Sequence, residues 1–120
     1  MADRVLMISW GTPVRGSEER GLEVFNEALG LYGRMQQDGR IESFDVMLFE
    51  PNGAVNGCIL IRGSAEQLTA VREDDEFTLS TINASLIVDD LRLVGGYANE
   101  GVARQMGVYQ EAISKVPQRA

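Results

Sequence analysis

Val5-Leu6-Met7-Ile8-Ser9-Trp10, followed by Arg15-Gly16-Ser17-Glu18-Glu19, opens a unit that the chain repeats as Cys58-Ile59-Leu60-Ile61 followed by Arg62-Gly63-Ser64-Ala65-Glu66. Each copy is a short, almost wholly apolar run bounded by breakers, which suits a strand better than a helix. Each is followed by a serine placed to cap a helix, with acidic residues in the first turn facing the positive end of the helix dipole. The second copy adds Gln67 three residues after Ser64, a capping-box pattern.

Working outward, Leu22, Phe25, Leu29 and Tyr32, with Ala28 and Met35 on the adjoining stripe, recur at helical spacing as far as about Gln37. Gly30 and Gly33 lie inside that helix, where each costs about 1 kcal/mol against Ala, and close approach to another backbone is the expected compensation. After Asp38-Gly39, the segment Ile41 to Glu50 alternates as a second strand, Phe44, Val46 and Leu48 on one face and Asp45, Met47 and Phe49 on the other. Pro51-Asn52-Gly53 and Asn56-Gly57 supply turn residues for an antiparallel hairpin into the third strand.

Leu68 and Val71 give the second helix its apolar face, and Asp74-Asp75 interrupt it or leave it continuous with a piece carrying Phe77, Leu79, Ile82 and Leu86. Leu91 to Tyr97 reads as the fourth strand, with Gly95-Gly96 expected to bend or bulge it. Asn99 is placed to cap a C-terminal helix over about 100–116, whose stripe of Val102, Met106, Tyr109 and Ile113 must bury on the domain or on a neighbouring subunit.

The skeleton is therefore βαββαβ plus a helix. This predicts one α+β domain over 1–120 with a four-stranded antiparallel sheet in the order 4-1-3-2 and the helices on one face. Strands one and three are apolar on both faces, as central strands are, whereas Asp45 and Arg92 mark strands two and four as edges. The helices cover one face only. The other would expose a contiguous apolar patch, so a homodimer packed sheet against sheet about a two-fold axis is expected.

Composition bounds the function. At 120 residues and 44% hydrophobic content the chain has enough core for one domain and too little for two. Eighteen acidic against eleven basic residues, net charge −7, argue against nucleic acid and anionic membrane partners, since the cations are scattered. No run approaches the roughly 20 apolar residues of a membrane span. A lone cysteine and the absence of a leader pattern at Met1-Ala2-Asp3-Arg4 favour a cytoplasmic protein.

Histidine is absent, which removes imidazole bases, imidazole-assisted nucleophiles and imidazole metal ligands. No metal or bound cofactor is expected. Cys58 has no adjacent base and reads as a buried small hydrophobe. Asp74-Asp75-Glu76 and Asp89-Asp90 lack an EF-hand pattern and read as caps or solvated groups. Gly11-Thr12-Pro13-Val14-Arg15-Gly16 lacks the spacing and lysine of a P-loop.

The element order, with Gly39-Arg40-Ile41-Glu42 leading out of the first helix and Gly57-Cys58-Ile59-Leu60-Ile61 into the second, resembles the dimeric α+β barrel group of ferredoxin-like proteins. That group includes antibiotic biosynthesis monooxygenase-like, EthD-like and YCII-related families. The resemblance implies a homodimer and, among the activities of the group, cofactor-independent conversion of a small aromatic or polyketide-like molecule. The lack of histidine argues against its haem-binding members.

A pocket between sheet and helices would then have Trp10, Arg62 and Tyr97 at its mouth, with Asp45 and Asn83 nearby. Tyr97 or Asp45 would handle a proton, Arg62 would hold an anion, and Trp10 and Asn83 would contact the ligand. The alternative is a non-catalytic, self-assembling or regulatory interaction module. A closed apolar cavity favours the first reading and a filled interior the second.

Overall fold

The computed structural model describes residues 1–117. The elements are β1 (Arg4–Trp10), α1 (Glu18–Gln37), β2 (Ser43–Leu48), β3 (Gly57–Gly63), α2 (Ala65–Glu73), α3 (Asp75–Ser85), β4 (Arg92–Tyr97) and α4 (Glu100–Ser114). The sheet runs β2-β3-β1-β4 with every pairing antiparallel, which is the expected order read from the opposite edge. The chain thus has a ferredoxin-like α+β fold extended by α4.

Register converts the alternation of each strand into two faces. Toward the helices point Phe44, Ile61, Leu6 and Gly95 in one row and Val46, Ile59, Ile8 and Leu93 in the next. Leu6, Ile8, Ile59 and Ile61 are buried there against Leu31, Tyr32 and Met35 of α1, Leu68 and Val71 of α2, and Phe77 of α3. The opposite face carries Asp45, Leu60, Met7 and Val94 in one row, flanked by Met47, Cys58, Ser9 and Arg92. None of these joins the core cluster, and Met47 and Val94 are exposed.

Local signals held unevenly. Ser64 forms the full capping box: its hydroxyl accepts from the Gln67 amide at 3.1 Å while the Gln67 side chain accepts from the Ser64 amide at 2.8 Å. Ser17 occupies the corresponding position before α1 but makes no side-chain cap bond; the Glu18 carboxylate turns back to accept from the Gly16 amide at 2.8 Å. Gly30 and Gly33 meet no foreign backbone, since a Cβ would find only the Arg34 guanidinium at Gly30 and nothing within 4 Å at Gly33. Gly95 and Gly96 pair in unbroken register with Leu6 and Val5, so β4 has no bulge. Asn99 stands at φ +52° and its side chain donates to the Ala2 carbonyl instead of capping α4.

Asp74 separates α2 from α3. It adopts extended backbone (ψ 131°), ends the first helix and caps the second by accepting from the Phe77 amide at 2.9 Å. That backbone bond, and then the Arg40 guanidinium at 2.7 Å, hold its carboxyl below the ordinary aspartate value despite partial desolvation. A depressed folded-state value means the ionised cap stabilises fully above the unfolded value, roughly pH 3.9, and loses this as pH falls through the folded one. Asp74→Ala is expected to cost about 1 kcal/mol at pH 6. Urea unfolding should show that difference shrinking by pH 3; a constant gap would assign it to something other than the carboxylate.

α4 leaves the body. Its first turn docks where Gly101 is buried against the Asp3 carbonyl and Arg104 pairs with Asp3. Farther along, Val102, Met106, Val108 and Tyr109 are about half exposed. The radius of gyration is accordingly 17.0 Å, against roughly 14 Å for a compact chain of this length. Among the described residues, no helix is long and apolar enough to cross a membrane.

Candidate functional site: an apolar cavity between sheet and helices

The floor of the cavity begins with glycine. A Cβ at Gly57 would lie 2.8 Å from both the Trp10 ring and the Met47 carbonyl, so only glycine lets the indole at the end of β1 lie across β3. Phe25 of α1 meets that indole edge-on, with ring centroids 5.8 Å apart. Beyond Trp10 the chain bonds to the segment following α3: Gly11 donates to the Asp89 carbonyl at 2.8 Å, Val14 to Ile87 at 2.7 Å, and Asp89 returns to Thr12 at 2.8 Å. A Cβ at Gly11 would crowd the Asp89 and Ala54 carbonyls at 3.1 and 3.2 Å. These bonds fix Ile87 and Val88 opposite α1.

α1 and α3 meet where Phe77 packs against Tyr32, centroids 6.4 Å apart, and leave a gap over Ile8 and Ile59 toward the Trp10 end of the sheet. The gap is a cavity of about 390 Å³. Its walls are Val24, Phe25, Ala28 and Tyr32 of α1, Ser80, Thr81 and Ala84 of α3, and Ile87, Val88 and Leu91, with Leu22 and Glu18 toward the rim. The volume falls within the usual range for a small-molecule site.

Of the hydroxyl residues that line it, Tyr32, Ser80 and Thr81, Tyr32 is the most deeply buried. The residue is 2% exposed and its ring is fixed edge-on to Phe44, centroids 5.9 Å apart. Its hydroxyl has no hydrogen-bond partner among the described residues, yet no fully buried side-chain oxygen or nitrogen there lacks one. The hydroxyl is therefore not fully enclosed, and Tyr32 is one of the residues that line this cavity. Burial raises its pKa far above the ordinary phenol value, so it stays protonated and can donate or accept a hydrogen bond. Glu18 is the charged residue of the lining, and no arginine or lysine contributes.

The residues expected at one mouth stand in separate places. Trp10 lines the cavity. Arg62 and Asp45 point to the opposite face of the sheet, where they pair with each other across β3 and β2. Strand parity explains this: each lies one residue from an inward neighbour, Ile61 and Phe44. Tyr97 lies at the far end of the sheet, its ring under the Arg4 guanidinium at 4.6 Å. Asn83 is half-buried on α3 beside lining residues without lining the cavity itself.

Cys58, on the open face, is buried with its thiol pushed up by desolvation. The acidic runs serve structure: Asp74 caps α3, Glu76 pairs with Arg34 and Asp90 with Arg92. Sequence reasoning counted Tyr32 only as part of a helical stripe. Its midpoint position among Leu22, Phe25, Ala28 and Met35 carries no mark of an unpartnered hydroxyl.

Two solved structures share this architecture. A dimeric protein of unknown function with a ferredoxin-like fold from Bacteroides fragilis NCTC 9343 superposes with a TM-score of 0.59 at 13% identity, over 79% of this chain and 96% of that one. A conserved protein of unknown function from Bacteroides thetaiotaomicron VPI-5482, described as a possible oxidoreductase, gives 0.61 at 13% identity, over 82% and 100%. No protein-family model matches the chain, and no curated protein matches it in sequence. At such identities the likeness establishes the ferredoxin-like fold.

Proposed function

We propose that the protein is a homodimer that binds a neutral aromatic or polyketide-like molecule in the cavity between α1, α3 and the sheet, one molecule per subunit. The observation that carries this reading is Tyr32, whose hydroxyl has no partner among the described residues, in the lining of a largely apolar, aromatic-walled space. Planar rings suit the edges of Trp10 and Phe25, and one carbonyl or hydroxyl group suits Tyr32. The lining holds a carboxylate and no cation, which disfavours an anionic ligand and with it the anion-holding role first expected of Arg62.

Dimerisation is supported by the partly exposed apolar side chains Met7, Met47, Leu60 and Val94 on the open sheet face and by the dimeric state of the Bacteroides fragilis counterpart. Conversion of the ligand without a bound cofactor is the further step of this reading; the possible oxidoreductase from Bacteroides thetaiotaomicron is in keeping with it. There Tyr32 would polarise a carbonyl as a hydrogen-bond donor, since a hydroxyl kept protonated is a poor base.

The chain has a single tryptophan, so its fluorescence reports on the cavity wall directly. 2-Naphthol is expected to quench Trp10 emission saturably, and 2-naphthoate to bind more weakly. Tyr32→Phe should weaken 2-naphthol about fivefold, the worth of one neutral hydrogen bond. Quenching that never saturates, or equal affinity in the variant, would overturn the reading. A second reading, an assembly module, is favoured by the exposed side chains Leu79 and Ile82 on α3, Leu86 at its C-cap, and Val102, Met106 and Tyr109 on α4. Ala28→Phe, which fills the cavity, separates the two: it should abolish naphthol binding and leave assembly unchanged.

A further inference from the structure

We propose that the cleft between β4, the start of β1 and α2 is a second binding site, one that holds an oxyanion, the carboxylate or phosphate of a small molecule. The cleft has a volume of about 340 Å³ and lies at the opposite end of β1 from the apolar cavity. Arg4, Arg72, Thr69 and Tyr97 line it, with the backbone of Gly95 and Gly96.

Charge pairing is the first argument. In a chain with an excess of seven negative charges, Arg20, Arg34, Arg40, Arg62 and Arg92 each have a carboxylate partner. Arg72 has none among the described residues, although Glu73 follows it in sequence. Arg4 has only Asp3, at 3.5 Å, and Asp3 also pairs with Arg104. One carboxylate therefore serves both Arg4 and Arg104, and Arg72 adds a guanidinium with no carboxylate at ion-pair distance among the described residues.

Shape is the second. The Tyr97 ring holds the Arg4 guanidinium at 4.6 Å, which restricts a side chain that would otherwise sweep through solvent. Gly95 and Gly96 sit in regular strand pairing, where glycine weakens a sheet and often marks close approach of a ligand. A Cβ at Gly95 would come within 3.3 Å of the Arg72 guanidinium, and one at Gly96 within 3.2 Å of Val5. The missing side chain at Gly95 thus leaves room beside the Arg72 guanidinium, whereas Gly96 faces the open side of the sheet with Val5. The planar fork of Arg72, with Arg4 in the same lining, suits the two or three acceptor oxygens of a carboxylate or phosphate.

The test is a 15N NMR titration with inorganic phosphate and, separately, acetate, at ionic strength held constant with sodium chloride. Saturable shifts are expected at the Gly95, Gly96 and Tyr97 amides and at Arg72 Nε, with the tighter anion identifying the ligand group. Arg72→Gln should weaken binding by about tenfold or more, and Arg72→Lys by less, because the charge stays while the fork is lost. Arg72 is exposed, so neither change empties the core. Both variants should keep the wild-type Trp10 response to 2-naphthol, which keeps this site distinguishable from the apolar one. Shifts linear in anion concentration, or equal affinity in Arg72→Gln, would overturn the proposal.

Discussion

Leu60→Lys is expected to leave a folded monomer where the proposed reading has the wild-type protein form a dimer. Leu60 lies near the middle of the open face, paired with Asp45 on one side and Met7 on the other, and Val94 extends the same row. It is only half-buried in the isolated chain and lies outside the core cluster, so the substitution costs the fold little. At a two-fold interface the lysine appears twice, each copy losing water with only Asp45 beside it, a carboxylate that Arg62 already engages. Burying that incompletely compensated charge costs a few kcal/mol and raises the dissociation constant on the order of a hundredfold or more. Analytical ultracentrifugation at micromolar concentration gives the answer. A monomeric wild type, or a variant that dimerises as tightly as wild type, would refute the sheet-face interface.

The adjacent residue should do the opposite. Ile61 points to the helices, is completely buried, and sits between Leu6 and Phe44 in the central row. Ile61→Ala removes three carbons from a packed core and is expected to cost about 2–5 kcal/mol, a large part of a typical domain stability of roughly 5–15 kcal/mol. Since the proposed dimerisation would add to apparent stability by mass action, urea unfolding is best measured in the Leu60→Lys background. A loss under about 1 kcal/mol would mean that the core collapses around the site, and the central packing described above would be wrong. Two neighbours with separate consequences, one for assembly and one for folding, are a direct test of strand alternation.

The same alternation explains what could be read early and what could not. The apolar runs Val5 to Trp10 and Cys58 to Ile61, with Asp45 and Arg92 on the other two strands, were enough to order the sheet. They carried no information about Arg62 and Asp45 as a pair on the open face until register made them diagonal neighbours. The two Arg-Gly-Ser units looked alike, yet only Ser64 caps, because Gln67 is available to complete its box and also reaches the Gly39 carbonyl at 3.1 Å. Before α1, the neighbouring Glu18 takes the role of acceptor. Gly30 and Gly33 suggested a close approach that the packing of α1 never makes. The stripe on α4 was legible as amphipathic, whereas its projection from the body was not.

By itself, the sequence determined the faces: period-two and helical spacing state which side chains share a surface, and charges on otherwise apolar strands state which strands are edges. Only the tertiary structure decided the two candidate sites. The apolar cavity exists because α1 and α3 touch at Tyr32 and Phe77 and part over Ile8 and Ile59. The cationic cleft exists because Arg4, Arg72 and Tyr97, from three elements far apart in the chain, converge at one end of the sheet. Local periodicity is fixed by backbone geometry within a few residues, whereas a gap between elements is the residue of how well whole surfaces pack, and no short stretch of sequence contains it.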